Sequence, residues 1–121
     1  MEINWLATGL GILAGIALSF LWYGPLFGRA WAAGSHNITR PERPPIVALA
    51  GYILSIVALG LVIGVTATTN ALFTALAAIM AAAGFLFAGG LFSQKSTGAA
   101  LIDGGSVLAI GAVMILAQGL L

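Results

Sequence analysis

Of 121 residues, 61% are hydrophobic and only 6% charged, where a soluble domain averages roughly 25% charged and a small one buries only about two thirds of its unfolded surface, so a water-soluble fold is excluded. Four Lys and Arg against three Asp and Glu leave a net charge of +1, too few cations for a phosphate-binding surface, which excludes a nucleic-acid partner. With no cysteine and His36 alone, disulfides, thiolate sites, Cys nucleophiles and a histidine metal cage within one chain are excluded, and no metal or cofactor is expected.

The first element is an uncharged run from Ile3 to Tyr23, long enough at about 1.5 Å per residue to cross a hydrocarbon core of roughly 30 Å. A cleaved signal peptide is the rival reading, with Ala30-Trp31-Ala32 as an A-x-A site. Glu2 in place of a basic n-region, and an apolar run longer than the usual ~7–15 residues, favour a membrane span.

Residues 24–45 form the one long connection. Pro25 is expected to stop the first helix, and Leu26 to Ala33 reads either as a short interfacial helix, with Leu26, Phe27, Ala30 and Trp31 inward and Arg29 outward, or as an irregular aromatic loop. From Gly34 to Pro45 the chain is built of turn and breaker residues, and Pro44-Pro45 suits a helix entry. A second span covers 46–65, followed by the polar link Thr66-Ala67-Thr68-Thr69. A third covers 70–92, with Asn70 or the preceding Thr as N-cap. After the link 93–100, a fourth span at 101–120 places Asp103 in its first turn. The expected fold is a single all-α membrane domain over 1–121, a compact bundle of four transmembrane helices.

Arg29, Arg40, Arg43 and Lys95 all fall in the first and third links, and the second link and the C-terminus contain no Lys or Arg. The positive-inside rule then places links 24–45 and 93–100 in the cytoplasm and both termini outside a bacterial inner membrane. Gly24-Pro-Leu-Phe-Gly-Arg29 and Gly89-Gly-Leu-Phe-Ser-Gln-Lys95 share a layout, which suggests two similar helical hairpins; two ordinary membrane exits would read the same way.

Asp103 is the costliest residue to place in lipid. It reads as a structural anion, favoured by the helix dipole and paired with Lys95 or Arg29, or as part of a polar cluster of Arg29, Lys95, Asp103 and Ser106. Trp5, Trp22, Tyr23 and Trp31 read as interfacial anchors. Gly11/Gly15 and Gly60/Gly64, each four apart, allow close helix contact. Ser19 and Ser55 can bond their own helix carbonyls. No acid, base and nucleophile converge at recognisable spacing, so an enzyme is not expected and no catalytic residue is assigned.

Asn4-Trp5-Leu6-Ala7, the stretch Trp22-Tyr23-Gly24-Pro25-Leu26-Phe27-Gly28-Arg29-Ala30-Trp31 and Leu101-Ile102-Asp103-Gly104-Gly105 resemble the small bacterial membrane protein family catalogued as domain of unknown function 1761. The resemblance covers nearly the whole chain and implies a four-helix membrane protein; it supplies no activity, substrate or catalytic residue. Members commonly carry an aromatic after the Gly-Gly of the last span, where this chain has Ser106, and the first link is shortened and proline-rich.

Three function classes compete: a structural or accessory subunit packing with itself or other membrane proteins, a small-solute transporter or channel with a polar mouth around Asp103, and a lipid-acting enzyme. Mid-depth polar groups are few, Ser19 and Ser55 in the main, so a water-filled path through one bundle is disfavoured. The subunit reading ranks first, with transport by an oligomer as the alternative.

Overall fold

The computed structural model describes residues 2–39 and 45–121. Arg40 and Arg43, which enter the orientation argument, lie outside the described residues. The elements are α1 (Trp5–Leu21), a π-helical turn (Trp22–Leu26), the short α2 (Gly28–Gly34), α3 (Ile46–Thr68), α4 (Leu72–Phe92) and α5 (Thr97–Leu120). Four helical segments, Trp5–Leu26, Ile46–Thr68, Leu72–Phe92 and Thr97–Leu120, are long and apolar enough to cross a membrane. They alternate in direction. One end of the bundle carries both termini and the α3–α4 turn, the other the two remaining links, which we call the link end.

Local chemistry moves several boundaries from their expected places. Asn4 caps α1 by accepting the Ala7 N–H at 3.0 Å. Regular helical geometry breaks at Gly24, directly before Pro25, and the chain passes on through a π turn in which Phe27 N–H reaches back five residues to the Trp22 carbonyl at 3.0 Å. The wider turn absorbs the N–H that proline lacks. Helix α3 runs on to Thr68, because the Thr66 and Thr68 hydroxyls bond the carbonyls three residues back within the helix. Asn70 is not the α4 cap: it adopts a left-handed conformation (φ 54°) that ends the α3 turn, with Asn70 N–H on Ala67 and Ala71 N–H on Thr66, and Ala71 precedes α4.

The fourth span begins at Thr97 instead of 101, because the Ser96 hydroxyl accepts the Ala99 N–H at 3.0 Å and caps it. Asp103 is therefore in the second turn, where the helix dipole has largely faded.

Helix α5 is the centre of the molecule. It packs along both α1 and α4, touches α2 and α3, and more of it is buried than of any other span. Small residues make this possible: a Cβ on Gly15 would sit 2.9 Å from Ile110, and one on Gly104 would sit 3.1 Å from the Ala83 carbonyl oxygen. Gly60 and Gly64 face Ile12 and Thr8 of α1, so both glycine pairs read from the sequence serve helix contacts inside this chain. The two Leu-Phe corners differ in backbone, the first lying in the π turn and the second in the last turn of a regular α4.

Ile56, Ile63, Ile79, Ile110 and Met114 form the apolar core. Outside it, Val47, Phe73, Phe85 and Phe92 are each more than 80% exposed. Water would penalise such a surface, and lipid does not.

Candidate functional site

The link end gathers the polar chemistry. His36 Nε2 lies 3.0 Å from the Ser93 carbonyl, and Ser96 N–H donates to the Gly34 carbonyl at 2.8 Å. These bonds fasten the end of α2 to the link between α4 and α5. Beneath them is Asp103, 7% exposed.

Three side chains from three elements converge on that carboxylate. From the π turn, the Tyr23 hydroxyl donates to Oδ1 at 2.6 Å; from α2, Trp31 Nε1–H donates to the same oxygen at 2.9 Å. From the α4–α5 link, Lys95 Nζ donates to Oδ2 at 3.0 Å. Lys95 Nζ also lies 5.0 Å from the Trp31 ring centroid, and the Tyr23 and Trp31 rings meet edge to face at 5.5 Å. A carboxylate within a membrane helix costs at least about 2.5–3.5 kcal/mol, whereas a hydrogen bond to a charged group returns roughly 1.5–3 kcal/mol. Three such bonds work against that cost.

Two further bonds hold the backbone beneath. Trp22 Nε1–H donates to the Ile102 carbonyl at 2.8 Å, and the Ser106 hydroxyl donates to the Asp103 carbonyl at 2.7 Å. Gly105 is what lets Trp22 lie against α5, since a Cβ there would stand 3.2 Å from the indole.

Next to the carboxylate opens a groove of about 880 Å³ between α1, α3 and α4, with Tyr23, Trp31, Lys95 and Asp103 at its polar end. Ile16, Phe20, Leu49, Ile53, Phe85 and Leu86 form its apolar walls. Leu49, Ile53 and Phe85 are themselves exposed, so the groove faces the hydrocarbon side. The Tyr52 ring lines it, 6.4 Å from that of Tyr23, while the Tyr52 hydroxyl is buried and makes no hydrogen bond among the described residues.

Of the residues singled out in the sequence, Lys95, Asp103 and Ser106 come together, while Arg29 stands exposed on α2, apart from them. Trp5 is 64% exposed at the opposite end. Trp22, Tyr23 and Trp31 aim their polar atoms at α5. On α2 Arg29 is outward as expected and Trp31 half-buried, but Ala30, and Leu26 and Phe27 just before the helix, are exposed. Tyr52 escaped the sequence reading; a tyrosine hydroxyl well inside an apolar span needs a partner, and that need was the available signal. Ser19 and Ser55 bond their own helix, at Ile16 and Gly51.

These features define a multi-pass membrane protein in which Tyr23, Trp31 and Lys95 converge at one end of a four-helix bundle on the buried Asp103 carboxylate. Residues 6–119 match the family described as Protein of unknown function (DUF1761), and the chain belongs to that family. No curated protein and no solved structure matches it.

Proposed function

We infer that the chain is a non-enzymatic subunit that packs, with itself or with other membrane proteins, in an oligomeric complex of a bacterial inner membrane. One observation carries this reading. Ala77, Ala81 and Gly84 lie on the exposed side of α4, within an arc of about 60° at 100° per residue. A Cβ on Gly84 would meet nothing within 4 Å. Other small-residue faces, such as those of Gly11 and Gly15 or Gly60 and Gly64, are already used within the monomer. Met80, Phe73 and Phe92, all strongly exposed, flank this open face and offer knobs for a second helix.

The engagement of both Asp103 oxygens in fixed hydrogen bonds favours an architectural role for the cluster over acid–base chemistry. Transport is the weaker reading, because the apolar core of Ile56, Ile63, Ile79, Ile110 and Met114 lies between the Asp103 cluster and the polar pair Thr8–Gln118 near the other end. Orientation follows the positive-inside rule: Arg29 and Lys95 at the link end support a cytoplasmic link end and external termini.

Purification from the native membrane in gentle detergent is expected to yield a stoichiometric assembly. Gly84→Leu, placed in open space, should dissociate it without changing the monomer's unfolding. A free wild-type monomer under these conditions would overturn the reading.

A further inference from the structure

The bond that ties Tyr23 to Asp103 has a chemical use that subunit packing does not require. The phenol donates to Asp103 Oδ1 at 2.6 Å, so a base already stands where proton transfer needs it, within about 2.6–3.2 Å of the proton it takes. While the phenol keeps its electrons the proton stays on it, because a phenol is the weaker acid of the two. Once the ring loses an electron the order reverses: an oxidised phenol is a far stronger acid than a carboxylic acid, and the proton crosses to Oδ1. The transfer runs along a hydrogen bond that exists before and after it, so the packing role of the cluster is unaffected.

The surroundings select Tyr23 among the neighbouring aromatic side chains. Tyr52 is the other tyrosine of the chain, but its hydroxyl makes no hydrogen bond among the described residues, so its proton has no base to go to. Trp31, whose ring meets that of Tyr23 edge to face at 5.5 Å, shares the same Asp103 oxygen. An oxidised indole is a weaker acid than an oxidised phenol, and the Lys95 ammonium, 5.0 Å from the Trp31 ring centroid, opposes positive charge on that ring. An oxidising equivalent that arrives at Trp31, or at the Tyr52 ring 6.4 Å away, therefore settles on Tyr23, where the loss of an electron ends in a neutral radical and a neutral acid. The charge left over is that of Lys95, which is about a quarter exposed. The chain contains no cysteine, so no thiol within it competes for the radical.

Tyr23 lines the groove whose exposed walls, Leu49, Ile53 and Phe85, face the hydrocarbon. Nothing has to occupy that groove; an oxidant dissolved among the acyl chains approaches the ring by diffusion alone. We propose that Tyr23 is a redox-active tyrosine that reduces organic peroxyl radicals in the membrane, with Asp103 as the acceptor of its proton. The Tyr23 ring gives one electron to the peroxyl radical, and its O–H bond breaks as the proton passes to Asp103 Oδ1. The peroxyl anion so formed takes a proton from water and leaves as the hydroperoxide. Asp103 then returns its proton to the hydroxide left behind, which restores the ion pair with Lys95. The net change is one hydrogen atom moved from Tyr23 to the peroxyl oxygen, leaving a tyrosyl radical.

The test uses the full-length protein in dilinoleoyl phosphatidylcholine vesicles, with peroxyl radicals generated in air from a lipid-soluble azo initiator. Freeze-quenched samples are expected to show the electron paramagnetic resonance spectrum of a neutral tyrosyl radical, and oxygen uptake by the lipid should be delayed in proportion to the protein added. Tyr23→Phe should lose both the signal and the delay, whereas Tyr52→Phe should keep both. Asp103→Asn, whose amide accepts a hydrogen bond but not a proton, should lose the tyrosyl signal at temperatures below its own unfolding midpoint. The wild-type chain supplies a measurement that no folding defect can imitate: in heavy water tyrosyl formation should slow, because electron and proton leave together. A tyrosyl signal that survives Tyr23→Phe, a signal confined to tryptophan, or a rate unchanged in heavy water would overturn the proposal. Persistence of the signal in Asp103→Asn would overturn the role given to Asp103.

Discussion

The Tyr23 hydroxyl and Asp103 Oδ1 are 2.6 Å apart across 80 residues of sequence, joining the exit of the first span to the entry of the last. Asp103→Leu would leave the donors of Tyr23, Trp31 and Lys95 facing an alkyl group. It should destabilise the protein by about 3–5 kcal/mol, the usual loss when one partner of a buried charge network is removed. Asp103→Asn keeps one acceptor oxygen and should cost less, about 1–3 kcal/mol. Reversible unfolding in mixed micelles measures both; a wild-type midpoint for Asp103→Leu would sink the idea that the network holds the two spans together.

Lys95 is about a quarter exposed and contacts both Asp103 and the Trp31 ring. A double-mutant cycle of Lys95→Met with Asp103→Asn isolates their pairwise term, expected at about 0.5–2 kcal/mol after discounting for partial exposure. Strict additivity of the two single effects would mean that the ion pair contributes nothing net.

The glycines divide into two kinds. A methyl on Gly60 would run into Ile12, whereas one on Gly51 meets nothing within 4 Å, though both lie in α3. Gly60→Ala should therefore cost about 1–3 kcal/mol through overpacking. Gly51→Ala should be neutral or stabilise by up to about 1 kcal/mol through helix propensity. Equal effects at the two sites would contradict the close α1–α3 contact.

A chain without cysteine is a clean background for single-cysteine topology mapping. Thr69 and Thr39 are both exposed, the first in the α3–α4 turn and the second in the α2–α3 link. With external termini, Thr69→Cys should react with a membrane-impermeant maleimide in intact cells and Thr39→Cys only after permeabilisation. The opposite pattern would invert the proposed orientation.

The four spans were legible because lipid sets a length and forbids charge, a constraint that any 20-residue window displays. Asp103 was legible for the same reason, and Lys95, eight residues before it, was one of two cations, with Arg29, expected at the same membrane face. The roles of Trp22, Tyr23 and Trp31 were not. An amphipathic aromatic at a membrane exit has one composition whether its polar atom meets a headgroup or reaches inward to α5, and only the fold distinguishes them. The start of α5 was obscured because Ser96-Thr97-Gly98 has the polarity of a link, although Ser96 is a cap and Thr97 already helical. Tyr52 was hidden by its apolar surroundings, since hydropathy averages its hydroxyl away.

Asp103 is synthesised more than 70 residues after Tyr23 and Trp31. Until α5 is made, the Tyr23 hydroxyl and the Trp31 N–H lack the acceptor they share in the fold. The contact that ties α5 to the exit of α1 therefore forms only after α5 has been made, so it records that these two spans have met.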